Sequence, residues 1–308
     1  MTKAEIRGEK WVQFLFLAGL IGFLVCSDQI GESIKEGLLL CSQTLIPALY
    51  PTLVLSDMMT RYGAGRGASG IGSLFARIFH SHPHGAYTFG MGILCGFPVG
   101  IKEVSKAYRD GILTREEADH LMMFVGNAGV AFVVGGIGMG MRGSLKDGVA
   151  LFVIQGISAL FVGMLFRPSK QRLCTNNAVS SSSFSLSDSI AVATEGMLKI
   201  CGTVVCFSGL FGFLNLILPD FILPIIAILL EITSACRWIA DHFGTSSGLS
   251  FVLCSIAISW GGVSVLAQSA LYTRTGDLSL RPYVKGKLWG SFFALVLSTL
   301  YVYVTNCG

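Results

Sequence analysis

Phe221-Ile222-Leu223-Pro224-Ile225-Ile226-Ala227-Ile228-Leu229-Leu230-Glu231-Ile232-Thr233-Ser234-Ala235 is the stretch on which the reading of this chain turns. An uncharged apolar run meets a carboxylate without any polar transition, and two hydroxyls follow it. Comparable apolar blocks recur on both sides, over residues 12–26, 37–56, 121–141, 149–166, 200–218, 249–271 and 288–304. A bilayer core takes about 20 apolar residues per helix, so most of these blocks are span candidates. Short strands do not account for blocks of this length. A carboxylate at membrane depth costs about 2.5–3.5 kcal/mol on insertion scales, so Glu231 calls for a partner or a wet cavity. Two readings of it stand: a group that engages substrate or a coupling cation, or a helix end in headgroup water.

Composition supports the membrane reading. Hydrophobic residues make up 52% of the 308 positions and charged residues 13%, where a soluble domain carries about 25% charged. Mean hydropathy is +0.67. The net charge of +4 sits in short loops, and no basic stripe with interleaved aromatics suggests nucleic acid. None of the nine cysteines forms a CxxC pair, which argues against a disulfide or metal framework. Gly135-Gly136-Ile137-Gly138-Met139-Gly140 has no following Lys and no preceding strand, so a phosphate-loop reading fails. No hydrolase, kinase or dinucleotide constellation is present. The chain reads as a non-enzyme, with neither cofactor nor metal expected.

Residues 12–26, preceded by Lys3, Arg7 and Lys10, resemble a signal-peptide core, but no small-x-small cleavage site follows. An uncleaved first span is the expectation. The longest polar stretch, residues 168–187, contains Ser180, Ser181, Ser182 and Ser183 and reads as a linker between two halves. Each half has the same order of features. Glu36-Gly37 and Glu195-Gly196 open long apolar segments. A polar kink follows, Cys95-Gly96-Phe97-Pro98-Val99-Gly100 in one half and Glu231-Ile232-Thr233-Ser234-Ala235 in the other. A Gly-rich break comes next, Gly126-Asn127-Ala128-Gly129 and Trp260-Gly261-Gly262, and a clean span closes each half. Residues 1–30 therefore read as a first span and lead-in, 31–167 and 188–308 as two similar halves. The expected fold is an all-α, polytopic transmembrane protein of nine or ten segments, with broken helices and an inverted repeat. Glycine-rich helix packing is the plainer account of the glycines, but it does not explain Pro98, which removes a backbone donor.

Between the second span and the first kink, Ile71, Leu74, Phe75, Ile78 and Phe79 recur at helical spacing and predict a short amphipathic interfacial helix. His80, His82 and His84 alternate beside it and read as a solvated loop rather than a metal site. Residues 102–120 form the most polar loop. Within it Thr114-Arg115-Glu116-Glu117 has the capping-box pattern, which starts a helix near Arg115. Arg142, Lys146, Arg167, Lys170, Arg172, Arg274, Arg281, Lys285 and Lys287 read as loop or helix-end positions.

Non-helical backbone at membrane depth is tolerated only where it is buried or lines a cavity, so two helices broken at mid-membrane point to a site. Its candidate lining is Gly96, Pro98 and Gly100 from the first half and Glu231, Thr233 and Ser234 from the second. Asn127, Gly261, Gly262, Ser264 and Gln268 would face them. Asn127 and Gln268 are equally open to a purely interhelical hydrogen-bonding role.

The blocks Gly96-Phe97-Pro98-Val99-Gly100-Ile101-Lys102, Gly111-Ile112-Leu113-Thr114-Arg115-Glu116-Glu117-Ala118 and 124–135 resemble the sporulation integral membrane protein YlbJ (SpoVV) family. Glu231-Ile232-Thr233-Ser234 and residues 260–268 resemble that family's second-half motifs. The resemblance spans about residues 30–305 and places the chain in the nucleoside-recognition, or Gate-domain, group. It departs at Phe97, Gly126, Val130 and Ala235, where the family pattern has Tyr, Asn, Pro and Gly. What the resemblance implies is a multi-pass protein of a bacterial membrane, the outer forespore membrane, that transports dipicolinate during sporulation. Carboxylates would be met by half-helix N-termini and by Ser, Thr, Asn and Gln groups, with Glu231 taking a coupling proton or cation. A nucleoside or other neutral-metabolite transporter of the same group, and a non-transporting assembly protein, are the alternatives. The expected partners are a small-molecule substrate and the lipid bilayer, with no nucleic acid. Oligomeric state is not legible.

Overall fold

The computed structural model describes residues 17, 19, 21–62, 70–169 and 185–306. Residues 12–16, 18 and 20 of the 12–26 block and most of the 168–187 linker lie outside the described residues. Helix α1 (Ser27–Leu40) runs through a π-helical turn, Cys41–Leu45, into α2 (Ile46–Arg61). The arms Ile30–Leu45 and Leu49–Met59 bend by 54° at a break that holds Pro47, a residue that lacks a backbone donor and kinks helices. Then come α3 (Gly70–Phe79), α4 (His84–Cys95), α5 (Val99–Arg109), α6 (Arg115–Met122), a π-helical stretch Ala131–Met141 and α7 (Leu145–Leu165). The second half holds α8 (Leu186–Ile217), α9 (Leu223–Leu230), α10 (Ile232–Phe243), α11 (Gly248–Trp260), α12 (Gly262–Thr275) and α13 (Arg281–Asn306). Among the described residues there is no strand.

Four helical stretches are long and apolar enough to cross a membrane: Leu145–Leu165, Leu186–Ile217, Gly248–Arg274 and Arg281–Thr305. The bent α1–α2 pair makes a fifth. The 21 residues of α7 span about 30 Å at 1.5 Å per residue, which matches a hydrocarbon core. The outer face of α13 exposes Leu288, Phe292, Leu295, Val296 and Leu300, an apolar stripe at helical spacing that suits lipid and not water. The expected nine or ten segments are thus corrected: five full-length spans at most among the described residues, and the other apolar blocks are shorter helices beside breaks. Block length alone could not separate a span from two half-helices.

Sequence caps set several starts. Ser144 and Ser185 accept from the amides of Asp147 and Asp188, each at 3.1 Å, and open α7 and α8. Thr114 Oγ1 accepts from the Glu117 amide at 3.3 Å while Glu117 Oε2 accepts from the Thr114 amide at 2.9 Å, the reciprocal box that starts α6. Helix α3 is apolar on two faces: Phe75 and Phe79 pack inward, while Ile71 and Leu74 point outward.

Three expectations about polar segments are overturned. Residues 102–120 are not a solvated loop; they fold into α5 and α6 with Glu103, Glu117 and His120 buried. Helical winding buries Glu103 and Glu117 and leaves Arg109, Arg115 and Glu116 exposed. The 80–84 segment is likewise folded in. His80 Nδ1 donates to the Pro168 carbonyl at 2.8 Å, the His84 amide donates to His82 Nδ1 at 3.2 Å, and His84 is buried. Arg142 and Lys287, placed at loop or helix ends by sequence, are both buried.

Candidate functional site

The first interruption lies between α4 and α5. Gly96 takes φ 82°, a region closed to most L-residues, and Pro98 precedes the first turn of α5. The Val99 amide closes the turn onto the Gly96 carbonyl at 2.9 Å. A methyl on Gly96 would sit 2.6 Å from the Gly129 amide nitrogen, so this break packs directly on the second interruption of the same half. The second half is built alike. Glu231 is extended between α9 and α10, and a methyl on Gly262 (φ 86°) would sit 2.6 Å from the Leu230 carbonyl oxygen. The halves join where Phe97 touches Gly261, its Cζ 3.3 Å from a methyl built there. All four breaks therefore converge.

Their meeting point is a chamber of about 40 Å³. Gly96, Phe97 and Gly129 wall it from one half, and Glu231, Thr233, Ser264 and Gln268 from the other. Glu231 is 1% exposed, so it is a helix end but not one wetted by headgroup water. Its Oε2 accepts from the amides of Thr233 at 2.9 Å and Ser234 at 2.7 Å, and its Oε1 from Thr233 Oγ1 at 3.0 Å. The carboxylate thus caps α10 itself, set against the positive end of the helix dipole. The expectation that this half-helix N-terminus receives a substrate carboxylate is corrected: Glu231 already fills it. The N-terminus of α12 differs. It has no side-chain cap, and Ser264, 1% exposed, leaves its Oγ without a partner.

An open, polar vestibule of about 290 Å³ adjoins the chamber. Glu36, Asn215, Ser234, Arg237 and Asp241 line it, and Thr233 belongs to both walls. A third cavity of about 20 Å³ is lined by Asn127, Gln155, Ser158, Ser259 and Lys287, and Lys287 also contacts the Phe97 ring. Gln155 bonds Ala128 through both ends of its amide, Oε1 accepting from N at 3.2 Å and Nε2 donating to O at 3.0 Å. It replaces the helical ladder that the 126–129 stretch lacks.

Of the sequence candidates, the chamber gathers Gly96, Glu231, Thr233, Ser264 and Gln268. Gly261 and Gly262 form the adjacent break. Ser234 faces the vestibule. Asn127 lies on the third cavity, its Nδ2 donating to the Phe124 carbonyl at 2.8 Å. Pro98 caps α5, and Gly100 packs on the Val125 carbonyl. Sequence reasoning missed Phe97 as a wall, Gln155 and Lys287. Gln155 carried a signal, an amide within an apolar block. Lys287 carried none, because the apolar block was taken to begin at 288. Lys287 is 5% exposed. Its Nζ donates to the Ser259 carbonyl at 3.1 Å and lies 4.4 Å from the Phe97 ring centroid. Burying an ammonium costs several kcal/mol, and the ring contact returns about 0.5–2 kcal/mol. Among the described residues no three metal-ligating side chains converge.

Lipid-facing spans around converging helix breaks define a multi-pass α-helical integral membrane protein with a discontinuous-helix core. The chain is similar to the sporulation integral membrane protein YlbJ. It is 21% identical to that protein of Bacillus subtilis (strain 168), over 93% of this chain and 80% of the relative. No family model and no solved structure matches it.

Proposed function

We propose that this protein is a membrane carrier, not an enzyme, that moves a small organic anion, with dipicolinate in spore formation as its substrate. The observation that carries the reading is the convergence of four helix breaks on one chamber, whose mainly apolar wall is interrupted by Glu231, Thr233, Ser264 and Gln268, and which meets a polar vestibule at Thr233. Broken backbone at this depth needs a cavity to justify it, and paired interrupted helices are a recurring carrier build. The two halves, 31–167 and 188–308, repeat the same order of breaks and are read as an inverted repeat. The sporulation name of the Bacillus subtilis relative supports the biological setting.

In this reading substrate enters by the vestibule, where Arg237 supplies a positive charge beside the acids Glu36 and Asp241, and reaches the chamber past Thr233. The uncapped start of α12, with Ser264 and Gln268, meets a carboxylate there. Glu231 holds α10 in place, and a proton or cation arriving beside it is the coupling partner. The test is uptake of labelled dipicolinate into vesicles containing the purified protein. Saturable uptake, inhibited by unlabelled dipicolinate and not by nucleosides, is expected. Inhibition by nucleosides alone assigns a neutral-metabolite carrier, and no saturable flux of either leaves a non-transporting assembly role.

A further inference from the structure

We propose that the small cavity lined by Lys287 is a carboxylate subsite with that ammonium as its cation, a role that rests on the organic-anion reading above. An ammonium has three donors. In Lys287 one is spent on the Ser259 carbonyl, and the rest face the rings of Phe97 at 4.4 Å and Tyr283 at 5.6 Å. Among the described residues no carboxylate lies within ion-pair distance of it, although the other buried cation, Arg142, is paired with Asp147 at 2.8 Å. A buried, uncompensated charge is retained where something else compensates it.

The surroundings favour an anion. The cavity wall carries no acid; Asn127, Gln155, Ser158 and Ser259 supply its polar groups. The Ser259 hydroxyl is buried with no partner, and the Asn127 amide has a second N–H beyond the one given to Phe124. The donors outnumber the acceptors that engage them. At about 20 Å³ the space holds little more than one water, too little for a whole dicarboxylate. Phe97, however, is a wall of the chamber and also the ring against which Lys287 rests. Displacing that ring would give a dicarboxylate in the chamber a way to the ammonium. One carboxylate then meets Lys287 while the other lies at the start of α12, where the positive end of that helix offsets the repulsion from Glu231.

The experiment compares binding of pyridine-2,6-dicarboxylate and its neutral diamide to purified protein in detergent by calorimetry. Wild type should prefer the dicarboxylate. Lys287→Met, which removes the charge and keeps the length, should weaken dicarboxylate binding about ten-fold or more, leave diamide binding unchanged, and melt no lower than wild type. If that variant does not accumulate, Lys287→Gln reads the same preference. A dicarboxylate preference undiminished in either variant overturns the subsite and leaves the carrier reading intact. A wild type that binds the diamide as well as the dicarboxylate, or neither, overturns the organic-anion reading and the subsite together.

Discussion

Glu231 was legible as a polar interruption in an apolar run, but its partner was not. Glu is an uncommon N-cap, since Ser, Thr, Asp and Asn lead there, so a carboxylate before Ile232-Thr233-Ser234 reads as a ligand before it reads as a cap. The geometry makes it a structural acceptor of three hydrogen bonds. Glu231→Gln turns one carboxylate oxygen into an amide that meets backbone donors with more donors. We predict a loss of about 1–3 kcal/mol, seen as a lower melting temperature in detergent. An unchanged melting temperature would mean that the cap contributes nothing to stability. Lys287 presents the opposite case: its helix starts at Arg281, well before the apolar block, so charge spacing placed it in a flank that is in fact core.

At the scale of elements, the breaks were legible because Gly, Pro and a lone acid interrupt apolar runs. What each glycine does was not. Gly92 and Gly100 both abut the Val125 carbonyl, bringing α4 and α5 onto the non-helical stretch that carries Asn127. Gly100 therefore sits in the motif for packing, whatever its neighbours bind. A methyl at Gly92 overlaps that carbonyl oxygen, whereas one at Gly90 meets nothing. Gly92→Ala is predicted to destabilise by about 1–3 kcal/mol, and Gly90→Ala, on the same helix, to be neutral or stabilising by up to about 1 kcal/mol. Equal melting temperatures for the two variants would refute the close approach.

Over the whole molecule, the sequence conveyed the order of features but not how the halves are fastened. Arg142 does part of this. Its guanidinium grips Asp147 Oδ2 through Nε at 2.9 Å and Nη2 at 2.8 Å, and reaches Ser250 Oγ on α11 at 2.8 Å. Spacing could not reveal a bond across 108 positions. Arg142→Ala should cost about 3 kcal/mol, the lower end for breaking a buried pair because Asp147 is partly exposed. Faster proteolysis between the halves is the readout, and wild-type resistance would remove Arg142 from that role. The burial of Lys287 bears also on biogenesis. Apart from Tyr283 on its own helix, the groups that contact its ammonium, Phe97 and Ser259, precede it in the chain. A ribosome delivering this protein to the translocon therefore releases the lysine last, when the ring and carbonyl that receive it have already been synthesised. Order of translation thus eases the insertion of a charged helix start.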